Sequence, residues 1–179
     1  MSQRPSFLTW ATSEETLRDA ERLGALAEIE AVLRASYDLT KSNPKGPLRP
    51  SSVVEGELRR AGWKKTRPWL PEGFFANDSF DGWKEFVDGA GYTQGVAVEI
   101  QWVWQGIYND LLKFWRAARG GQAAFGIEVL RGPDSFNYVV HHVFALYRDV
   151  FDEISVVFCA LDAPGLKEPF PKTLAHRED

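Results

Sequence analysis

Two carboxylates and an amide flank a strongly apolar stretch in the middle of the chain. Asp88 comes before the run GVAVEIQWVW at positions 95–104, and Glu99 and Gln101 lie within it. Apolar residues recur at every second position of this run, a period that predicts a β-strand. If the chain reverses at Thr93-Gln94, antiparallel pairing puts Asp88 directly opposite Glu99, with the two Cβ atoms about 4.5–5.5 Å apart. The spacing therefore predicts a pair of carboxylates on one face of a hairpin.

Two carboxylates at that distance repel each other, so one takes up a proton unless a cation lies between them. Mg²⁺ favours one or two carboxylates, with water and substrate phosphate completing its coordination. The backbone carbonyl of Ile100 would lie between the two side chains. Asp88, Glu99 and Ile100 are therefore the predicted metal ligands, and Mg²⁺ there would lower the pKa of a water and stabilise charge on a phosphate. The spacing alone also fits two acids that simply face solvent.

The surrounding elements predict one α/β domain over residues 1–179, a mixed β-sheet flanked by helices. Helical periodicity and capping residues predict an N-terminal helix over 13–37, a second helix from Ser51 or Ser52 to about Gly62, and helices over 107–119 and about 134–151. Apolar runs predict strands over 123–131 and 154–161. Proline and glycine predict loops over 41–50 and 68–81 and an irregular tail over 164–179.

Composition limits the class of protein. The chain has 179 residues, is 44% hydrophobic and carries a net charge of −4, which suits one globular domain with a full core. It has no run of about 18 apolar residues and no basic stretch before an apolar one near the N-terminus, so we expect a cytoplasmic protein. Cys159 is the only cysteine, which excludes an internal disulfide framework and a Cys-cluster zinc site.

Charge also bears on partners. A pI near 5.5 argues against a protein that coats nucleic acid without specificity. It does not exclude DNA binding, because an acidic protein can carry a local basic face. Lys64, Lys65 and Arg67 form a small basic cluster, and Arg131 follows a predicted strand. These four residues are candidates for phosphate contacts, and surface solvation explains them as well.

The run FVDGAGYTQGVAVEIQW at positions 86–102 resembles the catalytic hairpin of PD-(D/E)XK nucleases. More narrowly, it is similar to the BamHI/BglII/BstYI group of type II restriction endonucleases, in which an aspartate on one strand is followed by Glu-x-Gln or Glu-x-Glu on the next. The segment 108–131 resembles the helix and the next strand of that group. The resemblance covers a nuclease core of about 51–161. The separation of Asp88 from Glu99 is longer than in the group's best-known members.

The resemblance implies a restriction-endonuclease-like fold and a Mg²⁺-dependent endonuclease that hydrolyses phosphodiester bonds of double-stranded DNA, with Mn²⁺ as a substitute. Asp88, Glu99 and Gln101 would be catalytic. Gln101 stands where the wider superfamily has lysine, and since an amide cannot be a general base, it would orient the attacking water. Glu55 would be an additional metal ligand, although its position in a capping box explains it equally well.

The same resemblance implies a homodimer on duplex DNA, with Lys64, Lys65, Arg67 and Arg131 contacting the DNA, and a cognate DNA methyltransferase in the same system. Two alternatives stay open. One is a repair or phage-defence nuclease with the same core, and the other is a catalytically silent module that binds DNA or protein.

Other residues of chemically capable types are interpreted as structural. Asp110 is predicted to be a helix cap or a structural residue. His141 and His142 are adjacent on a helix, so they point in different directions and are not expected to bind a metal. Cys159 lies in an apolar strand and is expected in the core.

Overall fold

One mixed β-sheet organises the chain. The computed structural model describes residues 5–42, 50–66, 79–101, 106–144 and 152–162, which form six strands and five α-helices. In chain order the elements are β1 (Ser6–Ala11), α1 (Glu14–Arg22), α2 (Ala25–Ser42), α3 (Pro50–Arg60), β2 (Lys64–Thr66), β3 (Phe80–Val87), β4 (Thr93–Gln101), α4 (Ile107–Arg119), β5 (Phe125–Leu130), α5 (Pro133–Tyr138) and β6 (Val156–Asp162). A π-helical turn over Val139–Val143 continues α5.

The strands follow the order β1-β6-β5-β4-β3-β2. The three central strands β6, β5 and β4 are parallel, and the outer pairs β1–β6, β4–β3 and β3–β2 are antiparallel. Parallel neighbours need a crossover between them, and the segments that carry α4 and α5 supply these connections. The predicted α/β class with a mixed sheet and flanking helices is confirmed.

The two faces of the sheet carry different helices. Val98, Ile127 and Cys159 pack on one face with apolar residues of α2 and α3. On the other face, Ala97 and Phe158 pack with apolar residues of α4 and α5. Because side chains alternate along a strand, the odd-numbered residues of β4 and the even-numbered residues of β5 face α4.

A close contact brings α4 down onto β5. A Cβ built at Gly126 would overlap the ring of Phe114, so the missing side chain lets the helix lie directly on the strand. This approach holds the polar residues of α4 near the ends of β4 and β5. The elements that position the candidate site are thus packed through apolar contacts beside it.

Several predicted boundaries are wrong. The helix predicted over 13–37 is two helices, α1 and α2, separated at Leu23-Gly24, where Gly24 has a φ of 76°. The first of these helices is capped by Ser13, whose Oγ accepts the Thr16 amide at 3.1 Å. The Thr12 hydroxyl donates to the Ile154 carbonyl at 2.6 Å and so ties the end of β1 to the start of β6.

Strand β1 was not predicted, because its half-exposed residues lack a clear alternation. The helix predicted over 134–151 begins one residue earlier, with Pro133 at its first position, and turns into the π-helical segment at Val139. Phe80 and Asp81 belong to β3 rather than to the loop predicted over 68–81. Four parts of the predictions lie outside the described residues: Arg67, positions 68–78 of that loop, the end of the predicted strand at 102–104 and the tail at 164–179.

The core position expected for Cys159 is confirmed. Cys159 is fully buried in β6, and this burial raises the pKa of its thiol above the ordinary value. His141 and His142 are exposed on the π-helical turn. No helix among the described residues is long and apolar enough to cross a membrane.

Candidate functional site

The register of the β3–β4 hairpin corrects the predicted carboxylate pair. Val87 pairs with Thr93 and Gly82 pairs with Val98, so the chain reverses through residues 88–92 and not at Thr93-Gln94. Asp88 therefore lies in the turn and not opposite Glu99. The ladder is paired as far as Gly82 and Val98, and Asp81 and Glu99 are the next residues of the two strands. The prediction of Asp88 as partner of Glu99 and as metal ligand is wrong.

The side chain of Asp88 explains where the turn forms. Its Oδ1 accepts the backbone amides of Ala90 and Tyr92, both at 2.9 Å, and Gly91 takes a φ of 85°. Asp88 Oδ2 also lies 3.4 Å from Arg22 Nη1 on α1. The amide of Tyr92 lowers the pKa of Asp88 most, and Ala90 and Arg22 act in the same direction. Asp88 is thus a turn-forming residue at the far end of the hairpin.

Asp81 takes the place that the sequence had suggested for Asp88. Its Oδ2 accepts the backbone amide of Ile100 at 3.0 Å, which ties the start of β3 to the end of β4 beside Glu99. The charge of Asp81 acts on Glu99, which lies on the face of the sheet that α4 covers. Two carboxylates of the hairpin are therefore neighbours, but the aspartate is Asp81 and not the predicted Asp88.

Helix α4 adds a cation and a third carboxylate. The ammonium of Lys113 contacts Oε1 of Glu99 and lies 2.8 Å from Oδ1 of Asp110. Gln101 Nε2 donates to Oδ2 of Asp110 at 2.7 Å. The side chains of Glu99, Asp110 and Lys113 are only 4%, 9% and 14% exposed, so water screens their charges little. Asp110 is thus a member of this cluster and not a simple helix cap.

Burial and mutual charge shift the ionisation of these groups. Burial raises the pKa of Glu99 to about 9, and the charge of Asp110 adds to this, while Lys113 acts against it. Burial likewise raises the pKa of Asp110. Burial disfavours the ammonium of Lys113, but Glu99 and Asp110 outweigh this and raise the pKa of Lys113. Lys113 is therefore protonated at neutral pH.

Glu128 is a fourth carboxyl group on the same face. It pairs in register with Glu99 on the neighbouring parallel strand and is completely buried. Neither of its carboxyl oxygens has a hydrogen-bond partner among the described residues. Burial, and then the charges of Asp110 and Glu99, raise the pKa of Glu128 well above its ordinary range. Burial and the neighbouring negative charges therefore disfavour the ionised form of Glu128.

The donor types at this cluster, carboxyl groups and an amide oxygen, are those that hard divalent cations prefer. Asp81, Glu99, Asp110 and Glu128 act electrostatically on one another, with Lys113 as a counter-charge. No three His, Cys, Asp or Glu side chains of the described residues converge closely enough to hold a metal ion by themselves. Mg²⁺ does not require three, since it is commonly held by one or two carboxylates plus water. The unpartnered Glu128 oxygens and the surplus of carboxyl groups are compatible with such an ion.

The other predicted site residues lie elsewhere or are not tested. Glu55 is on α3, which packs on the opposite face of the sheet, and its Oε2 lies 3.6 Å from Arg59 Nη1, so the fold does not bring Glu55 to this cluster. Lys64 and Lys65 are exposed on the edge strand β2. Arg131 is half-buried directly after β5. Their contacts with DNA stay a prediction.

Sequence reasoning did not identify Asp81, Lys113 or Glu128 as site residues. The run Asp88-Gly-Ala-Gly is a stronger turn signal than Thr-Gln, and reversing the chain at Ala90 would have put Asp81 opposite Glu99. Lys113 follows Asp110 by three positions, which places both on one side of a helix. Glu128 stands out as an acid within an apolar strand. Among known proteins, the chain matches no family model and no curated protein sequence.

Proposed function

We propose that the chain is a Mg²⁺-dependent endonuclease that hydrolyses phosphodiester bonds of double-stranded DNA. The observation that supports this most strongly is that Asp81 bonds the Ile100 amide beside Glu99, whose carboxylate contacts the ammonium of Lys113. Nucleases of the kind that the 86–102 run resembles combine two carboxylates with a nearby amide or lysine. The proposal keeps Glu99 and Gln101 and replaces Asp88 with Asp81.

Asp81 and Glu99 would hold the ion, with the Ile100 carbonyl as a further ligand. Mg²⁺ bound there would polarise a phosphate oxygen and lower the pKa of a water. Asp81 is suited to this task because the Ile100 amide bonds only one of its two oxygens in the described contacts, Oδ2 at 3.0 Å. Glu99 is buried, so water would screen the attraction between its carboxylate and a bound cation only weakly.

Lys113 and Gln101 would act on the substrate. Lys113 is protonated, so it is excluded as the base, and its charge would stabilise negative charge that develops on the phosphate. Gln101 is oriented by its hydrogen bond to Asp110. We assign Gln101 the positioning of the attacking water, as the resemblance implies, and the proton of that water would pass to solvent or to a substrate phosphate.

Binding of DNA would use the basic residues outside the cluster. Lys64 and Lys65 are exposed on β2, which neighbours the strand that carries Asp81. A homodimer in which each subunit cuts one strand, and a cognate methyltransferase that protects host DNA, remain part of the proposal for a type II restriction enzyme.

A catalytically silent module is the second candidate, and one observation favours it. The Lys113 ammonium already contacts Glu99, and no three acidic or imidazole side chains of the described residues form a closed metal site. Such a chain would bind DNA without cutting it. The two candidates differ in whether the protein cleaves DNA when Mg²⁺ is present.

Incubation of the purified protein with unmethylated phage DNA, with Mg²⁺ or with EDTA, tests the proposal. Discrete fragments that require Mg²⁺ would support a site-specific endonuclease, and sequencing their ends would give the recognition site. A Mg²⁺-dependent smear would support a repair or defence nuclease instead. Retention of DNA without any cleavage would contradict the enzymatic proposal and favour the silent module.

A further inference from the structure

We propose that Lys113 is a resident counter-ion of the carboxylate cluster, which a divalent cation must displace from Glu99 before it can bind. This inference rests on the cation site of the proposed function and concerns how that site is controlled. The site would then work by ion exchange, in which the ammonium moves away as the metal ion arrives.

The contacts of Lys113 place its ammonium where a cation would be held. It touches Glu99 Oε1 and lies 2.8 Å from Asp110 Oδ1, and its side chain is 14% exposed. A dipositive ion bound to Glu99 would lie within a few ångströms of this ammonium. At such distances, in surroundings of low dielectric constant, two positive charges repel strongly.

Lys113 has a second partner to which it can retreat. Asp110 lies three residues earlier on the same helix, and its other oxygen is held by Gln101 Nε2 at 2.7 Å. A lysine side chain has a flexible four-carbon stem, so the ammonium can leave Glu99 and stay bonded to Asp110. The contact of Phe114 with Gly126 fixes the helix itself, so the exchange would be a side-chain movement.

A neutral residue at position 113 removes the competitor of the metal ion. The cluster would then keep all four carboxyl groups, and an incoming cation would displace no ammonium from Glu99. Affinity for a divalent ion should therefore rise. A purely structural role for Lys113 predicts the opposite, since its loss would loosen the cluster and weaken metal binding.

The test measures Mn²⁺ binding by electron paramagnetic resonance on the full chain at pH 8. Wild type, Lys113→Met, Lys113→Gln and Lys113→Arg are compared. Lys84→Met is the matched control, because Lys84 Nζ also pairs with a glutamate, Glu28 at 2.7 Å, but outside the cluster. We expect both neutral variants at position 113 to bind Mn²⁺ at least about tenfold more tightly than wild type, which is about 1.4 kcal/mol. Lys113→Arg and Lys84→Met should gain nothing.

Each outcome has a defined meaning. Equal or weaker binding by the folded neutral variants, with wild type binding Mn²⁺, overturns the counter-ion role and leaves the proposed function standing. Mn²⁺ binding by Lys113→Met and Lys113→Gln, but not by wild type, would support the counter-ion role of Lys113 most strongly. Binding by none of the proteins removes the cation site, and with it both proposals. Adding Asp81→Asn to Lys113→Met should abolish the gained affinity, and a gain that persists would place the ion elsewhere and overturn the inference. Circular dichroism checks that each variant is folded. If Lys113→Met does not fold, Lys113→Gln replaces it in the comparison.

Discussion

Single residues carry the chemistry of this chain, and their surroundings decide what each can do. Asp81 and Asp88 are both aspartates of the same hairpin, yet one is bonded to a strand amide beside Glu99 and the other forms a turn. Glu99 and Glu128 are adjacent carboxyl groups, of which one has an ammonium partner and the other has none among the described residues. The candidate site is therefore defined by contacts and burial and not by residue type.

Glu128 should make the metal-free chain less stable as pH rises. In the fold the pKa of Glu128 is raised well above the ordinary 4.5. Above about pH 5 the folded chain therefore holds a proton that the unfolded chain has lost, so the free energy of unfolding falls as pH increases.

The variant Glu128→Gln tests whether Glu128 causes this loss of stability. The glutamine cannot ionise, so at pH 8 we expect it to raise the free energy of unfolding by about 1–3 kcal/mol relative to wild type. At pH 4 the carboxyl group is protonated in both states, and the variant should differ little. Urea unfolding at the two pH values, in EDTA, measures the difference. A variant with the same effect at both pH values would show that Glu128 is not buried as a neutral acid.

At the scale of elements, the packing of α4 on β5 sets the geometry of the site. Asp110 and Lys113 come from α4, while Glu99 and Glu128 come from the strands beneath it. Gly126 permits this approach, because a Cβ there would overlap the ring of Phe114.

Gly126→Ala should therefore push the helix away from the sheet. We expect a loss of about 1–3 kcal/mol in the free energy of unfolding, the usual effect of overpacking a core. Gly89→Ala is the matched control, since nothing lies within 4 Å of a Cβ at this exposed turn residue, and it should change stability by less than about 0.5 kcal/mol. Urea unfolding compares the two, and equal effects would refute the close contact.

Element types were predictable because periodicity is a local property of the sequence. The strands around Val98 and Val157 and the helix at 107–119 follow from apolar spacing alone. The hairpin register was not predictable from the same pattern, because it depends on the turn. The side chain of Asp88 bonds two backbone amides, and the turn spans residues 88–92. Every cross-strand pair of the hairpin therefore differs from the pair that a reversal at Thr93-Gln94 predicts.

The site could be predicted only in part for the same reason. Glu99 and Gln101 lie within a strongly patterned strand, and both belong to the observed cluster. Lys113 approaches them through the packing of α4 on the sheet, which no local pattern contains. Glu55 was misplaced because its helix, α3, covers the other face of the sheet.

The whole molecule combines an acidic balance with a basic edge. Its net charge is −4, while Lys64 and Lys65 are exposed on the edge strand β2. Long-range repulsion of DNA by the chain as a whole is screened at physiological salt, where the Debye length is about 8 Å. Local lysines then decide where DNA binds, if the proposed function is correct.

Salt dependence of DNA binding measures these contacts. Replacing Lys64 and Lys65 together by alanine should reduce the slope of log K against log salt by about 2, because each lysine that pairs with a phosphate releases about 0.9 counterions. Arg18→Ala is the control, since Arg18 is exposed on α1, which packs beside β1 and β6 at the other edge. An unchanged slope in the lysine variant would place the DNA on a different surface.

The central claim is that Asp81, and not Asp88, works with Glu99 in a cation-dependent cleavage of DNA. The most direct measurement compares cleavage rates of duplex DNA in Mg²⁺ for wild type, Asp81→Asn and Asp88→Asn. The asparagine at 88 keeps an oxygen for the turn amides, so this variant should cut at nearly the wild-type rate. Asp81→Asn should cut at least about 100-fold more slowly, the scale of losing one preorganised electrostatic contact. Loss of cleavage in Asp88→Asn with a normal rate in Asp81→Asn would contradict the account.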